Sequence, residues 1–172
     1  GTAEQVRVAY TAISHTAKGE LVKAGNKEAA TLASFLGSKP KITASGEETF
    51  ELTPLSEYTD GEKPKPFPGI FTADWLVIDE ASMIASKNKS EGMFQSNDNV
   101  LSELIKFVKN ANSKNKFLFI GDDYQLPPVG EECSNGLNKS FLINECKLQG
   151  TMMELKEVKR QEDGSYILEN AT

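Results

Sequence analysis

A chain of 172 residues with 38% hydrophobic and 26% charged side chains is an ordinary folded domain with a real core, and no apolar run approaches the ~18 residues of a membrane span. The net charge of −6 argues against a uniformly basic nucleic-acid binder and leaves room for a local basic track. Cys133 and Cys146 make neither a metal set nor a disulfide framework, and with no leader pattern at the N-terminus a reducing, cytoplasmic location is expected.

In chain order, Val6 to Ile13 reads as a strand, with Val6, Val8, Tyr10 and Ala12 alternating against polar or small neighbours. Ser14 caps a helix over His15 to Ala24, which Gly25-Asn26 stops, and a second helical stretch covers Lys27 to Leu36 and ends at Gly37. The Ser14-His15 junction offers amides and a hydroxyl to a phosphate, of a nucleotide or of a nucleic-acid backbone; a plain serine cap is the competing explanation. His15 is the single histidine, and no Ser, Cys or Asp pattern places it in a triad.

Between Ser38 and Gly69 the character changes. Lys41 to Thr43 and Glu48 to Leu52 flank Ala44-Ser45-Gly46-Glu47 as a β-hairpin, and a proline-rich linker follows from Thr53 to Gly69. Residues 38–69 therefore read as an insertion, either decoration or a device that touches a partner.

Trp75, Leu76, Val77 and Ile78 form an unbroken apolar run of the kind found in a strand covered on both faces, and it breaks into Asp79-Glu80. Ala81 to Ile84 begins a short helix, Ala85 to Asp98 is loop, and Asn99 to Asn110 is an amphipathic helix with Val100, Leu101, Leu104, Ile105 and Val108 on one stripe. Phe117 to Ile120 repeats the buried-strand design and breaks at Gly121 into Asp122-Asp123-Tyr124-Gln125-Leu126-Pro127-Pro128-Val129. Strand, helix and strand in this order make a right-handed βαβ crossover, and ligands of open α/β sheets bind beyond the carboxyl ends of the strands, so both polar clusters are expected at one crevice. Gly130 to Lys139 is a polar loop, Phe141 to Cys146 is short and apolar, and Met152 to Val158 reads as a further strand ending at Lys159-Arg160-Gln161.

An acid directly after a buried strand can hold hydrated Mg²⁺ on the phosphates of a nucleotide, and the next acid can orient and deprotonate the attacking water. These are the roles open to Asp79 and Glu80, against the plainer reading that the pair caps a loop. Arg160, one of only two arginines, could face the same crevice and stabilise charge on a transferring γ-phosphoryl group, or be a surface arginine.

Leu76-Val77-Ile78-Asp79-Glu80-Ala81-Ser82-Met83-Ile84 resembles motif II of superfamily 1 DNA helicases of the RecD and Dda kind, and Phe119-Ile120-Gly121-Asp122-Asp123-Tyr124-Gln125-Leu126-Pro127-Pro128-Val129 resembles their motif III. Leu155 to Gln161 is similar to the start of motif IV. Ala12 to Leu21 is similar to motif Ia, with Ser14-His15 where a Thr and a small or polar residue are usual. Ala30 to Gly37 is similar to the next segment, with Ala33 in place of a frequent His. The resemblance spans nearly the whole chain. It implies a RecA-like P-loop NTPase core, α/β with a parallel sheet flanked by helices, of which residues 1–172 would be an incomplete first motor domain carrying motifs Ia to IV. It also implies an ATP- and Mg²⁺-dependent motor that translocates on single-stranded DNA, 5′ to 3′ in this branch. Asp79 would bind Mg²⁺, Glu80 activate water, Gln125 sense the γ-phosphate, Arg160 contact it, and Ser14, His15 and Thr31 touch the DNA backbone; the hairpin would match the small insertion near the duplex junction.

One departure matters. The chain contains no G-x-x-x-x-G-K-S/T phosphate loop. It therefore reads as a piece of a longer helicase, inactive by itself, whose absent neighbour strand would leave an unpaired edge at Phe117 to Ile120, open to dimerisation unless the Met152 to Val158 strand moves in. The alternatives are an RNA helicase of the same superfamily and a degenerate, non-catalytic module that binds nucleic acid or protein.

Overall fold

The computed structural model describes residues 5–42, 44, 46, 48–51, 72–86, 100–128 and 130–155. Among them a four-stranded, all-parallel sheet runs in the order β2-β1-β5-β6, built from β1 (Val8–Ala12), β2 (Ala30–Thr31), β5 (Trp75–Asp79) and β6 (Lys116–Phe119). Parallel neighbours need crossovers, and helices supply them: α1 (His15–Lys23) lies between β1 and β2, and α3 (Val100–Ala111) between β5 and β6. This is the α/β sheet flanked by helices that the apolar runs imply. The hairpin also forms, as β3 (Lys39–Ile42) paired antiparallel with β4 (Glu48–Glu51); Lys41 faces Thr49 in its register. A two-stranded ladder has only edge strands, which is why Pro40 is accommodated in β3.

The core lies where α2 (Leu32–Phe35) and α3 meet the sheet. Leu32, Phe35 and Leu36 join Leu76, Ile78, Leu101, Leu104, Ile105 and Val108 in one buried cluster, and Phe117 and Phe119 pack against it in parallel stacking. Of the stripe expected on α3, Leu101, Leu104, Ile105 and Val108 form the buried face. At the amino ends of the strands, Asn112 and Asn115 both donate to the Ala73 carbonyl, and Lys109 reaches the Asn115 carbonyl, so the entry to β6 is tied to that of β5.

Three expectations need correction. The helix over Lys27 to Leu36 is a turn, the two-residue strand β2 and then α2: Thr31 pairs with Ala12 in the sheet and its hydroxyl accepts from the Ser34 amide, so the chain is extended at Thr31 and becomes helical only beyond it. In β1 the expected alternation holds only at its end. Ala12 is fully buried, but Val6, Val8 and Tyr10 are exposed, while Ala9 packs on the core and Thr11 is buried with its hydroxyl donating to the Val77 carbonyl. The strand expected over Met152 to Val158 is absent from its described part: residues 152–155 are irregular, with Met152, Met153 and Leu155 exposed, and 156–158 lie outside the described residues. β6 is consequently the terminal strand of the described sheet. The Phe141 to Cys146 run forms a short helix, α4 (Lys139–Asn144), capped by Asn138.

Candidate active site at the carboxyl ends of the strands

Because the four strands are parallel, their carboxyl ends lie on one side of the sheet, and the register aligns them. Ala12 pairs with both Thr31 and Asp79, and Ile78 pairs with Phe119. Thr31, the Ser14-His15 junction, Asp79-Glu80 and the segment beginning at Gly121 therefore follow one another along one rim. Three strand spacings separate the first from the last, about 14 Å.

The most constrained point on that rim is the turn after β5. Glu80 adopts φ 54° and ψ 37°, a left-handed conformation that a side chain with a β-carbon rarely takes. Several contacts enforce it. The Glu80 amide donates to Asp79 Oδ1 at 3.0 Å, and a 3₁₀ turn over Ala81–Met83 follows at once, with the Met83 amide donating to the Glu80 carbonyl. The Ala81 amide leaves the turn and donates to the Ile120 carbonyl at 2.8 Å, while the Ile120 amide donates to the Ile78 carbonyl. The segments 76–84 and 119–128 are thus joined backbone to backbone where each leaves its strand.

Glycines make that junction possible. A β-carbon at Gly121 would come within 2.9 Å of the Ser82 amide nitrogen, and one at Gly136 would run into the Ala81 carbonyl. Only a residue without a side chain lets the 120–121 and 136–137 backbones close on the turn from two directions.

Asp79 and Glu80 are half-buried, and bonding to the Glu80 amide occupies one oxygen of Asp79. Its other oxygen suits a Mg²⁺ ion that keeps most of its waters and needs few protein ligands. Among the described residues no cluster of three or more His, Cys, Asp or Glu side chains could form an all-protein metal cage, and burial pushes the Cys146 thiol up to about 11, away from a ligand's role. The residues present therefore fit a hydrated ion shared with phosphate oxygens, while the phosphate loop itself has no counterpart in the sequence.

Gln125 is exposed on the segment after β6. There the Tyr124 amide donates to Asp122 Oδ1 and the Gln125 amide to the Asp122 carbonyl, and Tyr124 and Leu126 stand out into solvent. At the other end of the rim, Ser14 caps α1 by accepting from the Ala17 amide, His15 is exposed, and Thr31 is buried and caps α2. The structure thus supplies the capping roles for Ser14 and Thr31 and leaves His15 the open side chain of the three. Arg160 lies outside the described residues, as does Val129.

Sequence reasoning passed over Ser86, Glu131 and Asn135. Ser86 is buried; its amide donates to Glu131 Oε1 at 2.6 Å and its hydroxyl to Glu131 Oε2 at 2.9 Å, while Asn135 Nδ2 donates to the Ser86 hydroxyl and to Glu131 Oε2. No short motif contains three polar residues spread over about fifty positions; only the fold brings them together.

A family model described as an AAA domain matches residues 2–171. No curated protein matches the chain. Among the described residues no helix is long and apolar enough to cross a membrane.

Proposed function

Since the chain belongs to the AAA domain family, whose P-loop domains bind nucleotides, usually with Mg²⁺, and act as ATPases, we propose that it carries the water-activating and phosphate-sensing part of a helicase motor on single-stranded DNA. The observation that carries this reading is the junction on the rim. Glu80 is held in a left-handed conformation one residue after the acid suited to Mg²⁺, and the turn that holds it is bonded directly to the segment bearing Gln125.

In this reading Asp79 holds Mg²⁺ through water, Glu80 takes the proton of the attacking water, and Gln125 senses the γ-phosphate. Arg160 neutralises charge on the transferring group. The rim from Ser14 and His15 to Thr31 runs alongside as the backbone-contacting track, read by position and not by base identity. Residues 38–69 are an insertion within a partial first motor domain. With no phosphate loop in its sequence the chain alone does not hydrolyse ATP; movement is 5′ to 3′, and the edge of β6, uncovered among the described residues, pairs two copies when the chain is isolated.

The test is an ATPase assay on the full gene product in which this chain is accompanied by a phosphate loop. Hydrolysis stimulated by single-stranded DNA, and reduced at least about a hundredfold by Glu80→Gln with ATP binding retained, is the expected result. Stimulation by RNA in preference to DNA would transfer the reading to an RNA motor. Absence of any ATPase would leave a nucleic-acid or protein binding module.

A further inference from the structure

The segment carrying Gln125 is fastened at both of its ends to the stretch 81–86 that follows Glu80. At one end the Ile120 carbonyl accepts from the Ala81 amide and Gly121 lies against Ser82. At the other, the Glu131 amide closes a turn onto the Pro128 carbonyl at 2.9 Å, and the Glu131 carboxylate grips Ser86 through both oxygens, with Asn135 completing the set. Between these anchors, residues 121–126 are exposed. A loop with so little burial of its own takes its position from its ends.

We propose that Glu131 is a positioning residue: with Ser86 and Asn135 it latches the Gln125 segment to the stretch that leaves the Glu80 turn, so that the sensing amide and the water-activating carboxylate keep a set separation. The chemistry suits a latch. Short bonds from an amide and a hydroxyl to an ionised carboxylate are about twice as strong as neutral ones, and both oxygens are used, which sets orientation as well as distance. The catalytic meaning of the latch rests on the roles proposed for Glu80 and Gln125; its mechanical meaning does not.

The chemistry of the ring supplies the test. In E131Q the glutamine oxygen still accepts from the Ser86 amide, and once the Asn135 carboxamide turns its oxygen inward the glutamine nitrogen donates to Ser86 and Asn135, so the ring closes with its side-chain bonds reversed. E131A removes every one of these bonds. On the full 172-residue chain, ¹⁵N order parameters of Tyr124 and Gln125 are expected to fall from about 0.85 to below about 0.6 in E131A and to stay near the parent value in E131Q, with Leu104 and Val108 in α3 unchanged throughout. Unchanged values in E131A, values in E131Q as low as in E131A, or an equal loss across α3 would each overturn the latch.

In the full gene product, E131A should lower the kcat for ATP about ten- to a hundredfold with KM unchanged, and E131Q should retain it. If Glu80→Gln leaves hydrolysis intact, the reading of the site fails while the order parameters still decide the latch. If Glu80→Gln abolishes hydrolysis but E131A does not reduce kcat, the positioning role fails.

Discussion

Two non-glycine residues of the described chain have positive φ, and they differ in what explains them. Lys147, at 57°, follows α4, where a left-handed residue ends a helix in the usual way; the Leu148 amide then returns to the Leu142 carbonyl. Glu80, at 54°, follows a strand, where the local backbone has no such need. Glycine would fit there better. Relief of left-handed strain is worth about 1–2 kcal/mol, and the added freedom of glycine in the unfolded chain returns about 0.5–1 of it. Glu80→Gly should therefore raise the urea midpoint of the isolated chain, by a net of about 0.5–1 kcal/mol at constant m, while removing the carboxylate proposed to activate water. A drop in midpoint would mean that the Glu80 side chain contributes to the fold, and the argument that it is retained for chemistry would fail. Asp79-Glu80 was legible as a residue pair because its types and its place after an apolar run carry the signal. The backbone conformation was not legible, since beside its local bonds it depends on the one from the Ala81 amide to Ile120, some forty positions away.

Among the elements, β5, α3 and the cap at Ser14 could be read directly, from an unbroken apolar run, a helical stripe and a serine at a strand-to-helix junction. β6 could be placed but not its environment: expected to be covered on both faces like β5, it alternates, with Leu118 and Ile120 exposed. The segment after α1 could not be read directly. Ala29, Ala30, Leu32, Ala33 and Phe35 are all buried, which resembles a helix in composition, yet extended pairing with β1 claims Ala30 and Thr31 before the helix starts. Nor could the junction on which the site depends, made by the turn after β5, the start of the segment after β6 and the 131–137 loop. Its tightness yields a prediction from two glycines. Alanine at Gly136 meets the Ala81 carbonyl and should destabilise by about 1–3 kcal/mol, the usual cost of overpacking. Alanine at Gly19, inside α1 with nothing within 4 Å, should stabilise by about 0.5–1 kcal/mol. Thermal or urea unfolding of the two variants side by side is sufficient; equal effects would mean that the 136–137 backbone yields easily and does not clamp the turn.

At the scale of the whole molecule, the described sheet is covered on one face and only partly covered on the other. Leu76, Ile78, Phe117 and Phe119 face the core under α2 and α3, while on the opposite pleat Ala12 and Val77 are buried and Val8, Tyr10, Leu118 and Ile120 remain between 37% and 45% exposed. β6 also ends the sheet, and its hydrogen bonds to β5 run through residues 116 and 120, so the backbone groups of Phe117 and Phe119 point away from the described ladder. An uncovered edge beside a partly apolar face favours strand pairing between copies. The isolated chain should accordingly show a concentration-dependent rise in mass by light scattering. Leu118→Lys, which sets a charge on the exposed face of the edge strand without touching the core face, should return it to the monomer mass, whereas Lys23→Ala on the surface of α1 should not. A monomer at every concentration would show that the edge is protected in solution. Self-association unaffected by Leu118→Lys would place the contact elsewhere, and the pairing of β6 strands would have to be abandoned.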